Sequence, residues 1–358
     1  MTHLRLPRRA IRRMMKLPFQ PPLLPMEALA VDEVPAGPEW QYEPKWDGFR
    51  CLVFREGGEV QLQSKAGQPL ARYFPEIVEA VLALEAETFV LDGELMIPEG
   101  DAFSFDQLLQ RVHPAASRVR KLAAETPALL VAFDLLADAE GKSLLETPLV
   151  ERRVLLEQFA GEHFVDPARF RLSPVTADIE MTSRWLAEVG SALDGIIAKR
   201  ADLGYRSGER TGMVKIKNYR SVDCVVGGFR YGQGKSEVGS LLLGLYDEAG
   251  LLHHVGFTST IKAADRAAVT KQLEKLVEAP GFTGRAPGGP SRWSAGRSTE
   301  WKPLRAELVV EVSYDHLSGG RFRHGTKLLR WRPDKAPEQC TMEQVRQRDG
   351  NPLRLLAP

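Results

Sequence analysis

Residues 42–50 read YEPKWDGFR and contain the first side chain whose type and setting could support covalent chemistry. Lys45 stands two residues before an Asp47-Gly48 pair, near the start of a predicted strand. A lysine nitrogen that has lost its proton is a nucleophile and forms covalent intermediates in several enzyme classes. Taken alone, a lysine followed by Asp-Gly is more often a surface turn, so the rest of the chain has to decide its meaning.

Four further segments that place charged residues beside apolar strands follow Lys45. They are 91–94 (LDGE), 133–134 (FD), 194–199 (DGIIAK) and 214–217 (VKIK). The alternation of side chains along a strand predicts that Asp92 and Glu94 share one face, as do Lys215 and Lys217. Buried charges are costly unless they are paired or bound to a ligand. Five unrelated salt bridges in this order explain the pattern much less well than one shared site.

In this order the motifs resemble those of the covalent nucleotidyltransferases, and specifically of the ATP-dependent DNA ligases. The family's KxDG, DGE, FD, (E/D)GxxxK and KxK motifs correspond to the segments from Lys45 to Lys217, and its RxDK element to residues 332–335. The resemblance covers about residues 24–339. The bare catalytic core, with GRFRHGTKLLRWRPDK near its end, is similar to the stand-alone bacterial ligase C group.

The resemblance implies that Lys45 attacks the α-phosphorus of ATP, forms a lysyl-AMP phosphoramidate and expels pyrophosphate. The implied nucleotide-binding residues are Glu43 at the adenine edge, Arg50 at the ribose or the nick phosphate, Glu94 as an alternative ribose partner, Phe133 stacked on adenine, Lys199, Lys215 and Lys217 in the remaining motifs, and Arg332 and Lys335 at the β- and γ-phosphates. Lys215 and Lys217 would stabilise charge that develops on the α-phosphate.

Two carboxylates are the implied metal ligands. Glu94 and Asp194 offer hard oxygen donors that suit Mg²⁺, with Mn²⁺ as the alternative metal. The family usually has glutamate where Asp194 stands, and aspartate is shorter by one methylene, although the ligase C group tolerates it.

The expected macromolecular substrate is nicked duplex DNA. Arg50 and the Ser64-Lys65 element after the nucleophile resemble family contacts to the DNA backbone. Arg230, Arg321 and Arg323 are further predicted phosphate contacts, since such cations neutralise the backbone without reading sequence.

The elements that must position these residues predict an α+β fold. Apolar runs over 89–97 and 128–136 indicate buried strands, 50–55 and 60–64 a hairpin, and 74–84 and 149–159 helices. After residue 219 five short strand patterns with one helix between the third and fourth predict an OB-fold β-barrel. The predicted domains are therefore a leader over 1–25, a nucleotidyltransferase domain of antiparallel sheets and helices over 26–219, an OB-fold domain over 220–345 and a tail over 346–358.

Charge and composition narrow the class of protein further. The net charge of +1 divides into +6 over residues 1–25, −10 over 26–220 and +5 over 221–358, which argues against a protein that coats nucleic acid throughout. We expect the basic leader to be disordered or to precede a later start at Met14 or Met15, with a nucleic-acid arm or a transit peptide as alternatives. No apolar run is long enough for a membrane span, and three distant cysteines fit a reducing, cytoplasmic setting.

One motif is a decoy. Residues 228–236 (GFRYGQGKS) look like a phosphate-binding P-loop, but five residues instead of four separate Gly228 from the Gly-Lys pair. The segment is also expected to join two strands, whereas a P-loop joins a strand to a helix. We therefore expect a hairpin turn.

The expected function is an ATP-dependent DNA ligase that seals nicks between a 5′-phosphate and a 3′-hydroxyl, as a monomer, in DNA repair and with repair proteins as candidate partners. The alternatives are an RNA ligase or a GTP-using capping enzyme, which share the nucleophile and the KxK lysines, and a catalytically inactive nucleic-acid-binding protein. An NAD-dependent ligase is disfavoured because only 44 residues precede Lys45.

Overall fold

A computed structural model of the protein describes residues 17–190, 193–234, 236–288, 300–346 and 350–356. Residues 1–16 of the predicted leader therefore lie outside the described residues. Backbone contacts divide the chain into two units: residues up to Ile216 with the C-terminal segment from Gly350, and the intervening residues Lys217–Asp349. The sequence had predicted a boundary at 219/220 and a separate tail. In the structure, residues 350–356 belong to the first unit, where Leu356 is buried and its carbonyl accepts a hydrogen bond from Arg171.

The first unit contains two main sheets. Its strands are β1 (Leu29–Ala30), β2 (Trp40–Lys45), β3 (Phe49–Glu56), β4 (Glu59–Ser64), β5 (Thr88–Met96), β6 (Pro98–Glu99), β7 (Ala102–Phe103), β8 (Leu129–Ala137), β9 (Phe170–Leu172), β10 (Gly195–Arg200) and β11 (Met213–Lys217). The strand order is β1-β11-β10-β2 in one sheet and β4-β3-β5-β8-β9 in the other, with β6 and β7 paired separately.

The five-stranded sheet is buried on both faces. On β3, Cys51 and Val53 pack into the cluster that contains the helices, whereas Leu52 and Phe54 on the opposite face pack with Met26. A strand without polar alternation can be satisfied only by apolar cover on both sides. The hairpin predicted across residues 56–58 is confirmed, because β3 and β4 pair antiparallel around that turn.

Helices cover this unit at five places. They are α1 (Pro75–Ala83), α2 (Phe105–Arg111), α3 (Ala116–Glu125), α4 (Leu149–His163) and α5 (Ile179–Val189). The helices predicted over 74–84 and 149–159 correspond to α1 and α4, and the other three were not predicted. In α3 only Val119 and Ala123 are buried, so its apolar residues are too few to predict a helix from the sequence.

The second unit is a barrel of the OB type, which confirms the predicted fold class. Its long strands are β12 (Arg220–Tyr231), β13 (Val238–Tyr246), β14 (Leu252–Thr258), β16 (Val309–Tyr314) and β19 (Lys327–Trp331), in the order β14-β13-β12-β16-β19. The short strands β15 (Lys302–Pro303), β17 (Leu317–Ser318) and β18 (Arg321–Phe322) complete it, and helix α6 (Arg266–Glu274) lies between the third and fourth long strands.

A parallel bridge between Thr258 and Thr326 joins the two edges of this sheet. Thr258 also donates its hydroxyl to the Thr326 carbonyl at 2.9 Å, so the two edges of the sheet contact each other at this point. The decoy segment runs from β12 to β13, two antiparallel neighbours, as the hairpin interpretation requires, although Lys235 itself lies outside the described residues. No helix within the described ranges is long and apolar enough to cross a membrane.

Candidate active site

The predicted nucleophile lies at the end of β2. Antiparallel pairing of β2 with β10 places Lys45 opposite Gly195, and therefore next to Asp194, which directly precedes β10. Lys45 Nζ donates a hydrogen bond to Asp194 Oδ2, and 21% of the lysine side chain remains exposed. The ammonium is thus held by a carboxylate yet open to an approaching ligand.

A buried ion pair lies two residues earlier on the same strand. Lys199 Nζ of β10 donates to Glu43 Oε2 at 2.8 Å, and the two side chains are only 7% and 2% exposed. The Lys199 ammonium also lies over the ring of Phe133, 4.7 Å from its centroid. The pair fixes a charged group against the aromatic side chain predicted to stack on adenine.

A second cation contacts the same ring. The Arg50 guanidinium lies 4.9 Å from the Phe133 centroid and forms a two-bond ion pair with Asp92, at 2.7 and 2.6 Å. Asp92 is fully buried and also accepts the hydroxyl of Tyr205 at 2.7 Å, while that hydroxyl accepts the backbone N–H of Met26. These linked hydrogen bonds restrict the orientation of the Arg50 guanidinium.

The remaining carboxylate of the DGE motif faces the loop after the nucleophile. Glu94 Oε1 accepts the backbone N–H of Gly48 at 3.1 Å. Burial raises the pKa of Glu94 to about 7, although the charges of Lys45 and Arg50 oppose the rise. A nearby cation would favour its ionised form.

These residues line one open cleft with a cavity volume of about 190 Å³. We call it the nucleotide cleft. It is defined by seven predicted residues together with Lys65 of the predicted DNA-binding element, namely Glu43, Lys45, Arg50, Glu94, Phe133, Lys199 and Lys215. The sequence therefore anticipated a set of residues that the fold gathers in one place.

Three predicted nucleotide-binding cations belong to the second unit instead, which begins at Lys217, the last residue of β11. Lys217 Nζ donates to Asp315 Oδ2 at 2.5 Å, and this carboxylate also contacts His324 Nδ1 at 2.9 Å. Arg332 and Lys335 both face Asp223, at 2.8 and 3.5 Å. In this structure each of the three is held by an aspartate of its own unit.

The predicted DNA-binding residues are divided in the same way. Ser64 ends β4 and its hydroxyl accepts the backbone N–H of Gln68, and Lys65 pairs with Glu27 at 3.5 Å. Arg230 on β12 and Arg321 on β18 are half-buried in the second unit, as is Arg323.

Comparisons with known proteins fit this geometry. A family model described as "ATP dependent DNA ligase domain" matches residues 25–217, and one described as "ATP dependent DNA ligase C terminal region" matches residues 234–335. DNA ligase C2 of Mycolicibacterium smegmatis is 43% identical over 351 residues, which cover 92% of this chain and 96% of that protein. The chain belongs to the ATP-dependent DNA ligases.

Other ligases extend the comparison. DNA ligase C of Mycobacterium tuberculosis is 42% identical over 350 residues, with the same two coverages, so the resemblance to the stand-alone ligase C group is confirmed. A solved structure titled "Pmar-Lig_Pre." has a TM-score of 0.58 at 19% identity and covers 87% of this chain and 68% of its own, which supports the fold alone.

The carboxylates of this ligase fit a divalent metal only in part. Within the described ranges, no group of three His, Cys, Asp or Glu side chains is arranged to hold a metal ion. Mg²⁺, however, is commonly bound by one or two carboxylates together with substrate phosphates. Glu94 and Asp194 supply that number of carboxylates beside the nucleophile, so the donor set fits a metal that arrives with a nucleotide.

Sequence reasoning did not assign roles to several partners that the structure reveals. Asp92 was recognised as a motif residue but not as the partner of Arg50, and Tyr205 gave no signal at all. Asp315 was also missed. Burial alone would raise the pKa of Asp315, but hydrogen bonds from Lys217 and His324 hold it at about 2. A sequence signal was available only for Asp92, which alternates with Glu94 along one strand.

Proposed function

We propose that this ligase seals nicks in duplex DNA through an AMP group carried on Lys45. The observation that carries the proposal is the position of Lys45 Nζ, which is partly exposed in the nucleotide cleft and held by Asp194. Lys199 of the same cleft is only 7% exposed and is paired with Glu43, so it is not open to a ligand in this way.

The reaction proceeds in three transfers. Lys45 Nζ, after losing its proton, attacks the α-phosphorus of ATP, so that a P–N bond forms and the bond to pyrophosphate breaks. A 5′-phosphate oxygen of the nick then attacks the AMP phosphorus and releases the lysine. The 3′-hydroxyl finally attacks the 5′-phosphorus, closing the strand and releasing AMP.

The residues of the cleft divide this work. Phe133 offers its ring to adenine, Glu43 and Lys199 are placed to meet the base or the ribose, and Lys215 is a cation for the α-phosphate. Arg50 is held by Asp92 for a ribose or a nick phosphate. Mg²⁺ or Mn²⁺, held by Glu94 and Asp194, would stabilise charge on the nucleotide phosphates.

Cations of the second unit would bind phosphates of the nucleotide and of the DNA. Lys217, Arg332 and Lys335 would exchange their aspartate partners for the nucleotide phosphates, because a phosphate offers more acceptor oxygens than a single carboxylate. Ser64, Lys65, Arg230, Arg321 and Arg323 would contact the DNA backbone. We further propose that the enzyme acts as a cytoplasmic monomer in DNA repair.

The test is the intact mass of the purified protein after incubation with ATP and Mg²⁺, with GTP and NAD in parallel. We expect one added AMP from ATP only, and none in Lys45→Ala. Lys121→Ala should add AMP normally, because it removes an exposed lysine that does not line the cleft. A nicked DNA duplex and the same nick in RNA then separate a DNA ligase from an RNA ligase. Absence of an adduct in protein shown to be free of AMP beforehand would overturn the mechanism.

A further inference from the structure

Three arginines and one histidine form a cluster in the second unit. Arg230 lies near the end of β12, His254 on β14, Arg285 in the loop after α6, and Arg321 at the start of β18. We call these four residues the arginine cluster. Two of them, His254 and Arg285, carry no motif signal and were not among the predicted DNA contacts.

Hydrogen bonds hold the cluster together. Arg321 Nη2 lies 3.3 Å from His254 Nδ1. The Arg285 guanidinium donates to the carbonyls of Gly319 and Gly320 at 3.2 and 2.6 Å, directly before Arg321 in the chain. The Arg285 carbonyl in turn accepts the backbone N–H of His254 at 2.7 Å. These hydrogen bonds position His254, Arg285 and Arg321, whereas Arg230 belongs to the cluster because its charge acts on His254.

The cluster presents buried donors that lack acceptors. Arg230 Nε, Arg321 Nε and His254 Nε2 are buried and have no hydrogen-bond partner, and His254 is only 8% exposed. Burial and the charges of Arg321, Arg230 and Arg285 lower the pKa of His254 to about 3, so the ring is neutral at physiological pH. When Nδ1 accepts from Arg321, the ring proton lies on Nε2, which becomes the third unpaired donor.

The arginines of the cluster also lack counter-ions. None of the three forms an ion pair with a carboxylate of the described part of the chain, whereas Arg305, Arg330 and Arg332 of the same unit all do. A set of donors whose positive charge is not compensated by an ion pair with a described residue is the complement of an anion rich in acceptor oxygens.

We propose that the arginine cluster binds one phosphodiester group of the DNA backbone. This inference rests on the proposed function, which it deepens by naming a discrete phosphate site on the barrel. The matched family region described as the ligase C-terminal region includes His254, Arg285 and Arg321, which favours DNA over a free anion as the source of the phosphate. A phosphate held there positions the duplex without reading its sequence.

The experiment measures the affinity of the full chain for a fluorescent nicked duplex in EDTA, by anisotropy at several salt concentrations. Arg321→Gln is expected to weaken binding roughly tenfold and to reduce the slope of log affinity against log salt by about 1. Arg305→Gln is the matched control on the same barrel, because two glutamates already neutralise that arginine, and its affinity should be unchanged.

Thermal melting separates this outcome from misfolding. Removing one of three repelling arginines should leave the melting temperature equal or higher, whereas loss of a structural contact would lower it. Should Arg321→Gln melt early, the exposed Arg285→Gln serves as the second variant and should show the same loss of affinity. Unchanged DNA affinity in both variants would overturn the proposal.

A parallel arm tests free phosphate as the ligand. If inorganic phosphate raises the melting temperature of the wild type but not of Arg321→Gln, while DNA affinity is equal in both, the site takes a free anion and the DNA proposal is wrong. The outcome is also distinguishable from failure of the ligase mechanism. Transfer of AMP to Lys45 needs no DNA, so either result can fail while the other stands.

Discussion

The nucleotide cleft of the first unit and the arginine cluster of the second both concentrate positive charge, but they neutralise it differently. In the cleft, Lys45 pairs with Asp194 and Lys199 with Glu43. Arg50 likewise has Asp92. In the arginine cluster, the hydrogen bonds of Arg285 and Arg321 with described residues go to backbone carbonyls and to a neutral histidine.

This difference indicates two ways of preparing a protein for phosphate. Paired cations keep a fixed geometry before the substrate arrives, and a substrate phosphate then replaces or joins the carboxylate. Unpaired arginines repel one another until an anion arrives, so the bound anion itself supplies the missing counter-charge. The first arrangement suits a reacting phosphorus, and the second suits a backbone contact that does no chemistry.

The largest expected effect comes from breaking a buried pair in the cleft. Glu43→Gln should destabilise the protein by about 3–5 kcal/mol, because it leaves the Lys199 ammonium buried without its counter-charge. Urea denaturation measures the loss, and the double variant Glu43→Gln with Lys199→Met should recover most of it. A single variant as stable as the wild type would show that the cleft does not depend on pairing.

The second layer of the cleft gives the next effect. Tyr205→Phe should cost about 2–3 kcal/mol, because buried Asp92 loses a donor and the Met26 N–H loses its acceptor. We also expect a higher KM for ATP in the adenylylation step, since Arg50 is less firmly held. Tyr231→Phe is the matched control, because the Tyr231 hydroxyl donates to Glu274 at an exposed site. It should change neither the stability nor the KM for ATP.

The arginine cluster predicts a dependence of stability on pH. The pKa of His254 is about 3 in the fold against about 6.5 when unfolded, so the unfolded chain binds more protons between these values. Its contribution is complete above pH 6.5 and falls with pH, by about 2 kcal/mol between pH 7 and pH 5. His254→Gln should remove that part of the slope in urea titrations. An equal slope in both proteins would contradict an uncompensated cluster.

The smallest effect is expected at an exposed pair that belongs to neither region. Lys121→Ala breaks an ion pair with Glu125 on one helix turn, where both side chains are more than half exposed. Its stability should stay within about 0.5 kcal/mol of the wild type. A larger change would mean that exposure does not separate important from unimportant pairs in this protein.

Local patterns in the sequence were sufficient for much of the fold. The run of apolar residues over 89–97 became β5, and the Glu-Gly-Gly turn became the β3–β4 hairpin, because both depend on neighbours within a few residues. Helix α3, with two buried side chains, and the short strands of the barrel escaped prediction. Their stability comes from partners distant in the chain, which no local pattern records.

For the site, the sequence determined which residue types were present and in what order. The ordered motifs identified Lys45 and its companions, because the chemistry restricts those positions to a few side chains. Only the tertiary structure decided which charges meet: Glu43 and Lys199 are 156 residues apart, and Tyr205 and Asp92 are 113 apart. The arginine cluster likewise exists only where four separate segments come together. Ion pairs and unpaired donors are properties of distance and burial, and folding alone fixes both.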